Sequence, residues 1–251
     1  MENDQYLNLT LRTQVLKQDP NGRSYWHVVT TQERLPAKET AILLCDVWDD
    51  HWCRGASERV DVMAPRMNAV IKAARAKGVQ IIHSPSGTID FYADTPARQR
   101  VLDAPRVEPP KPREHDDPPL PIDDSDRGSD TGEKESRKAC TRQHAAIEIE
   151  DEDAISDDGV EIYSFMQHRG IKNLIIMGVH TNKCILNRSF GIKQMVKWGV
   201  NVMLVRDLTD AMYNPAMPPY VSHDEGTRLV IEYIEKFWCP SISSEDIIGA
   251  S

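Results

Sequence analysis

The stretch Gly178-Val179-His180-Thr181-Asn182-Lys183-Cys184 places a thiol where a buried strand gives way to a helix, a position at which cysteine can act as a nucleophile. The preceding run Ile171-Lys172-Asn173-Leu174-Ile175-Ile176-Met177 reads as a strand covered on both faces, and Thr181 to Trp198 as the helix that follows. Cys184 then falls in or near that helix's first turn. There the unpaired backbone N–H groups and the positive end of the helix dipole stabilise a thiolate, and the same N–H groups can hold an oxyanion. The competing reading is a buried structural cysteine, common in any core.

A second apolar strand, Thr40-Ala41-Ile42-Leu43-Leu44-Cys45-Asp46, ends in a carboxylate. Open parallel sheets bind ligands beyond the carboxyl ends of their strands, so Asp46 and Cys184 can share one crevice. A strand-terminal Asp followed much later by Gly-Val-x-Thr-x-x-Cys on a strand-to-helix turn resembles the isochorismatase-like cysteine hydrolases, which include nicotinamidases, carbamoylsarcosine amidases and ureidoacrylate hydrolases. The resemblance runs from about Ala41 to Trp238 apart from one long insertion, and the Cys184 segment is its specific part. It implies an Asp–Lys–Cys triad, a cis peptide at Val179–His180, an oxyanion hole from the backbone N–H groups of the Val179-His180-Thr181 loop, and a homo-oligomer.

The chemistry expected of such a pair follows from what an amide demands. A Cys184 thiolate attacks the carbonyl carbon, helix-terminal N–H groups hold the oxyanion, and an acid protonates the departing nitrogen. Asp46 is the candidate shuttle, taking the thiol proton, delivering it to the amine and then activating water against the thioester. The function expected is hydrolysis of a small amide or other C–N bond. The alternative is a binding or scaffold protein that kept the fold and lost the activity. Isochorismatase-type ether hydrolysis is a further alternative, disfavoured because members with that chemistry usually lack the cysteine.

This sequence departs from the resembled pattern in two places. The usual lysine lies a few dozen residues before the cysteine, whereas no lysine occurs between Lys138 and Lys172. Arg142 is the favoured third member, because a fixed cation lowers the pKa of a neighbouring thiol, although guanidinium is a poor proton donor. Lys138, Glu148, Glu150 or no third member remain open. Two residues after Asp46, where Gln or Asn is frequent, stands Trp48, which with Trp52 forms either an aromatic wall for a flat substrate or core cover. Asp50-His51 and His83 do not make the Asp-x-His pattern of zinc-containing relatives, so no metal or other cofactor is expected. His180 is expected to contact substrate or solvent rather than a metal. The segment Tyr213 to Tyr220 follows a strand's carboxyl end, so Tyr213 is a candidate pocket residue, with a surface turn as its alternative.

The remaining sequence must position these groups. Its 251 residues are enough for one large α/β domain spanning 1–251, and the formal charge of −9 argues against a nucleic-acid surface. Five cysteines without regular spacing make neither a disulfide framework nor a zinc pair. Met1 to Asp4 lacks a basic-then-apolar signal and no apolar run spans a membrane, so a cytoplasmic protein acting on a small molecule is expected. Residues 1–39 predict a β-hairpin, from Leu7 to Val15 and Tyr25 to Arg34 around Asp19-Pro20-Asn21-Gly22. Residues 104–135, rich in Pro and acid, predict a solvated excursion, with a lid or subunit-bridging arm as the alternative.

Strands are predicted at Val79 to His83, Ala145 to Ile149 and Val200 to Asp207. Helices are predicted from Pro65 to Gly78, Gly159 to Arg169 and Asp224 to Trp238, and the tail Ser241 to Ile248 can add an edge strand. Strands alternating with helices imply a three-layer α/β/α fold, with a mostly parallel central sheet of about six strands plus the hairpin.

Overall fold

The computed structural model describes residues 5–134 and 138–249. The leader expectation rests on Met1 to Asp4, and the insertion's last residue is Glu135; these lie outside the described residues. The chain runs β1 (Tyr6–Gln18), β2 (Ser24–Pro36), β3 (Thr40–Cys45), α1 (Arg54–Ala76), β4 (Gln80–Ser84), α2 (Pro96–Leu102), β5 (Ala154–Ile155) and α3 (Gly159–Arg169). It continues through β6 (Asn173–Val179), α4 (Ile192–Lys197), β7 (Asn201–Asp210), α5 (His223–Phe237), β8 (Ser241–Ile242) and α6 (Ser244–Ile248).

Alternation along β3 serves two cores at once. Ala41, Leu43 and Cys45 join the cluster under α3, α4 and α5, while Ile42 and Leu44 join the one under α1 and α6. Each fully buried aliphatic side chain there contributes about 1.5–3 kcal/mol of transfer free energy, and both faces are covered as a parallel sheet requires. The strand order is β2-β1-β8-β7-β6-β3-β4-β5, with β3 through β8 parallel and β1 antiparallel to both β8 and β2.

The sheet therefore has eight strands rather than about six, because the hairpin joins it instead of standing apart. Glu235 explains the attachment. This buried α5 carboxylate accepts from Arg12 Nε at 3.1 Å, Gln14 Nε2 at 2.9 Å and Ser241 Oγ at 2.6 Å, tying β1 to β8. The tail supplies an internal strand, β8, and then a helix.

Other elements shift for local reasons. Helix α1 starts at Arg54, well before the predicted start, because Ala56, Val60 and Ala64 extend the buried stripe of Met67, Val70 and Ile71, so Pro65 lies in its interior. The strand predicted at Ala145 to Ile149 is a turn, with Ile147 N–H donating to His144 O; the ladder beside β4 is made by Ala154 and Ile155. The helix predicted from Thr181 to Trp198 breaks into a π-helical turn at Thr181–Ile185 and α4.

The insertion is not a free excursion. Arg113 N–H donates to Lys197 O, Ser164 Oγ bonds Val107, His115 stacks on Trp238 with centroids 4.1 Å apart, and Ile122 and Ser129 are buried. These contacts supply the enthalpy that its composition alone did not promise.

Gly178 sets the spacing between β3 and β6. Its φ is +123°, and a Cβ there would lie 2.1 Å from Cys45 O, a backbone atom that cannot swing away. Gly178→Ala is expected to destabilise the protein by about 3 kcal/mol or more, through overpacking and the positive φ together. A denaturant midpoint equal to the parent's would contradict that close approach.

Candidate active site

Asp46 leaves the end of β3 with φ +51°, a left-handed conformation that Asp tolerates better than most residues. The turn buries its carboxylate fully and aims it across the carboxyl edge of the sheet. Oδ1 accepts the Ser86 backbone N–H at 2.8 Å; Oδ2 accepts Arg188 Nε at 3.1 Å and pairs with Nη2 at 3.0 Å. The Cys184 sulfur lies against the same carboxylate. A thiol, a carboxylate and a guanidinium therefore meet in one crevice.

Cys184 sits in the π-helical turn after the cis Val179–His180 peptide. That turn is wider than an α-helix: both Lys183 N–H and Ile185 N–H donate to His180 O. Arg188 follows one turn later, its N–H bonded to Cys184 O at 3.0 Å, so the i and i+4 side chains share a face.

Burial and the Asp46 charge push the Cys184 thiol up to about 12, while Arg188 and the His180 backbone N–H pull the other way. Burial also raises Asp46, opposed first by Arg188. Burial disfavours the Arg188 cation, yet Asp46 and Cys184 together raise its pKa above the ordinary value. The pair thus has a thiol and a carboxyl that burial raises together, with one arginine on the carboxyl opposing both.

Ser86 and Arg188, both partners of Asp46, line a cavity of about 370 Å³ with Trp48, Asp50, His51, Trp52, Gly87, Lys138, Ala139 and Cys140. Trp48 donates Nε1–H to Ser86 O at 3.1 Å and stacks on His51, which lies 4.8 Å, centroid to centroid, from His180. Burial lowers His51 to about 4 and His180 to about 3, so both rings are neutral near pH 7. A larger cleft of about 660 Å³ opens near the start of β4, at the opposite edge of the sheet from Asp46, and has none of these groups.

The sequence-predicted residues divide accordingly. Asp46 and Cys184 are brought together, and Trp48 lines the cavity. His180 is buried beside His51 with Nε2 unpartnered. Val179 and Thr181 are buried, Thr181 Oγ1 bonding Thr209 Oγ1 at 2.7 Å, and neither lines the cavity.

Arg142 is displaced from the expected role. Its guanidinium lies over the Phe91 ring and its backbone pairs with Asp49, so the cation on Asp46 is Arg188. Lys138 reaches Gly87 O, Glu148 binds Lys72 at the surface, and Glu150 pairs with Arg75. Tyr213 is no pocket residue: it is fully buried, its hydroxyl on Met217 O and its ring filling the space beside Gly226.

Arg188 lies downstream of the cysteine, outside the stretch where the resemblance places the lysine. The available signal was its spacing of one helical turn from Cys184. Among the described residues no group of three or more His, Cys, Asp or Glu is placed to hold a metal ion, and no helix is long and apolar enough to cross a membrane. His83 instead bridges Gln143 and Asp153.

The model of the isochorismatase domain matches residues 40–216. A cysteine hydrolase from Pseudomonas syringae pv. phaseolicola is similar in structure with a TM-score of 0.56 and 17% identity, over 85% of this chain and 92% of that one. An isochorismatase from Pseudomonas putida is similar with a TM-score of 0.51 and 11% identity, over 83% and 89% of the two chains. At these identities the likeness is one of fold. No curated protein matches the sequence.

Proposed function

This chain belongs to the isochorismatase domain family, and we propose that it is a cysteine hydrolase cleaving a small amide or related C–N bond through a Cys184 thioester. The observation that carries the reading is the Cys184, Asp46 and Arg188 cluster beside the aromatic-walled cavity. Asp46 takes the thiol proton as sulfur bonds to the carbonyl carbon, and the oxyanion is received by N–H groups of the Val179 to Cys184 turn. The protonated Asp46 then gives that proton to the leaving nitrogen as the C–N bond breaks. Water, deprotonated by Asp46, attacks the thioester, and the proton returns to sulfur with release of the acid. Arg188 keeps Asp46 ionised inside a buried site and supplies the fixed positive charge otherwise expected of a lysine.

The test is a panel of small primary amides and ureides offered to the parent protein and to Cys184→Ala, with released ammonia or amine measured. Hydrolysis by the parent and none by the variant is expected. Equal rates in the two would refute the thioester route, and a panel bound but never cleaved would favour the scaffold reading.

Self-association belongs to the same proposal. The outer half of the hairpin leaves Leu16, Tyr25, Trp26 and Val28 exposed, more apolar surface than one chain covers. Light scattering at micromolar concentration is expected to show an oligomer, and monomer alone would contradict it.

A further inference from the structure

We infer that Asp124, in the insertion, is a positioning residue that clamps the turn carrying Cys184, so that the insertion is part of the frame that holds the nucleophile. The inference rests on the assignment of Cys184 as nucleophile. Asp124 Oδ2 accepts Asn182 Nδ2 at 2.7 Å and pairs with Lys183 Nζ at 3.1 Å, gripping the two residues immediately before Cys184. Asn182 is itself buried and holds both backbone polar groups of one residue: its Nδ2 donates to Met212 O at 3.0 Å and its Oδ1 accepts Met212 N–H at 2.9 Å.

The insertion also packs against Met212. Gly128 packs so tightly that a Cβ would lie 2.3 Å from Met212 O. Two residues on, Asp130 pairs with Arg59, which also holds Asp210 at 2.8 Å. Asp210 is the cross-strand neighbour of Val179, the residue before His180. The ring Asp124, Asn182, Met212, Gly128 thus fixes the turn through side chain and backbone at once. A π-helical turn lacks the tight i+4 ladder that would otherwise hold its shape, and outside support supplies what the local hydrogen bonds do not.

Displacing a nucleophile by a fraction of an ångström has large kinetic effects, whereas removing a half-exposed ion pair has small effects on folding. The two are separated by following iodoacetamide labelling of Cys184 against pH, peptide by peptide, together with the melting temperature and turnover of p-nitrophenyl acetate. Asp124→Ala is expected to lower the labelling midpoint of Cys184 by about one pH unit or more, as the loosened turn admits water to the thiol. It is also expected to lower kcat about 10- to 100-fold with KM little changed.

Asp124→Asn, which keeps an acceptor for Asn182, should move both readouts less. Asp117→Asn, in the insertion but paired to Lys193 and Tyr233 far from this ring, should move neither. Parent-like labelling and kcat in Asp124→Ala overturn the inference, as does a lowered melting temperature with the Cys184 titration unchanged. If Asp124→Ala does not fold, Lys183→Gln removes the ion pair alone and is read the same way. Failure of the thioester reading shows elsewhere, as full turnover in Cys184→Ala, so the two outcomes are distinguishable.

Discussion

Asp46→Asn is expected to cost roughly 10²–10⁴-fold in turnover, the range for losing a positioned general acid–base group. The amide keeps the shape of the carboxylate and one oxygen, enough for either the Ser86 N–H or Arg188 but not both, and the fold should persist on its two cores. It cannot take the thiol proton, deliver it to the leaving nitrogen or activate water. The same change should make Cys184 more acidic. After burial, the Asp46 charge is the largest influence holding the thiol up at about 12, and removing it leaves Arg188 facing the sulfur unbalanced. Labelling by iodoacetamide near neutral pH should therefore quicken while hydrolysis collapses. Slower labelling would instead mean that the carboxylate matters to the thiol as its proton acceptor more than as a neighbouring charge, and retention of turnover would remove Asp46 from the mechanism.

Arg188→Ala is the second large effect, with an expected loss on the order of 10²-fold in turnover, comparable to removing one preorganised electrostatic partner. The sign of its pH dependence follows from the site. Burial raises Asp46 and Arg188 opposes that rise, so without the guanidinium the carboxylate's pKa goes higher still. Because the base acts deprotonated, activity is then lost from the acidic side, and the lower limb of the pH–rate profile moves to higher pH. Arg188→Lys should recover part of the rate: it keeps a cation one turn from Cys184 but loses the two-nitrogen grip on Oδ2. A profile unmoved in Arg188→Ala would show that the ion pair is structural.

What the sequence disclosed depended on how local the cause was. Strands such as β3 and β6 and helices such as α3 were legible because burial on both faces, helical spacing and a terminal Gly170 are written in consecutive residues. The pairing of Asp46 with Cys184 was legible through the rule that parallel strands carry their ligands at one edge. Arg142 was misassigned because spacing from the cysteine says nothing about which side of a loop a guanidinium takes, and here Phe91 and Asp49 hold it. Tyr213 was misassigned because a loop aromatic can face outward or inward, and the space beside Gly226 draws it in. The insertion reads as solvated from its composition, yet some of its acidic residues meet partners distant in sequence, Asp124 on Asn182 and Lys183 and Asp130 on Arg59. Such pairings exist only once the chain has folded.

The most direct test is acid quench of the parent protein and of Asp46→Asn during reaction with p-nitrophenyl acetate, followed by mass spectrometry of the intact chains and their peptides. An acyl group located on Cys184 is expected in both, present in passing in the parent and accumulating in the variant, where nothing activates water against the thioester. Sustained turnover by the parent with no acyl group on Cys184 at any time, and undiminished in Cys184→Ala, would contradict the account.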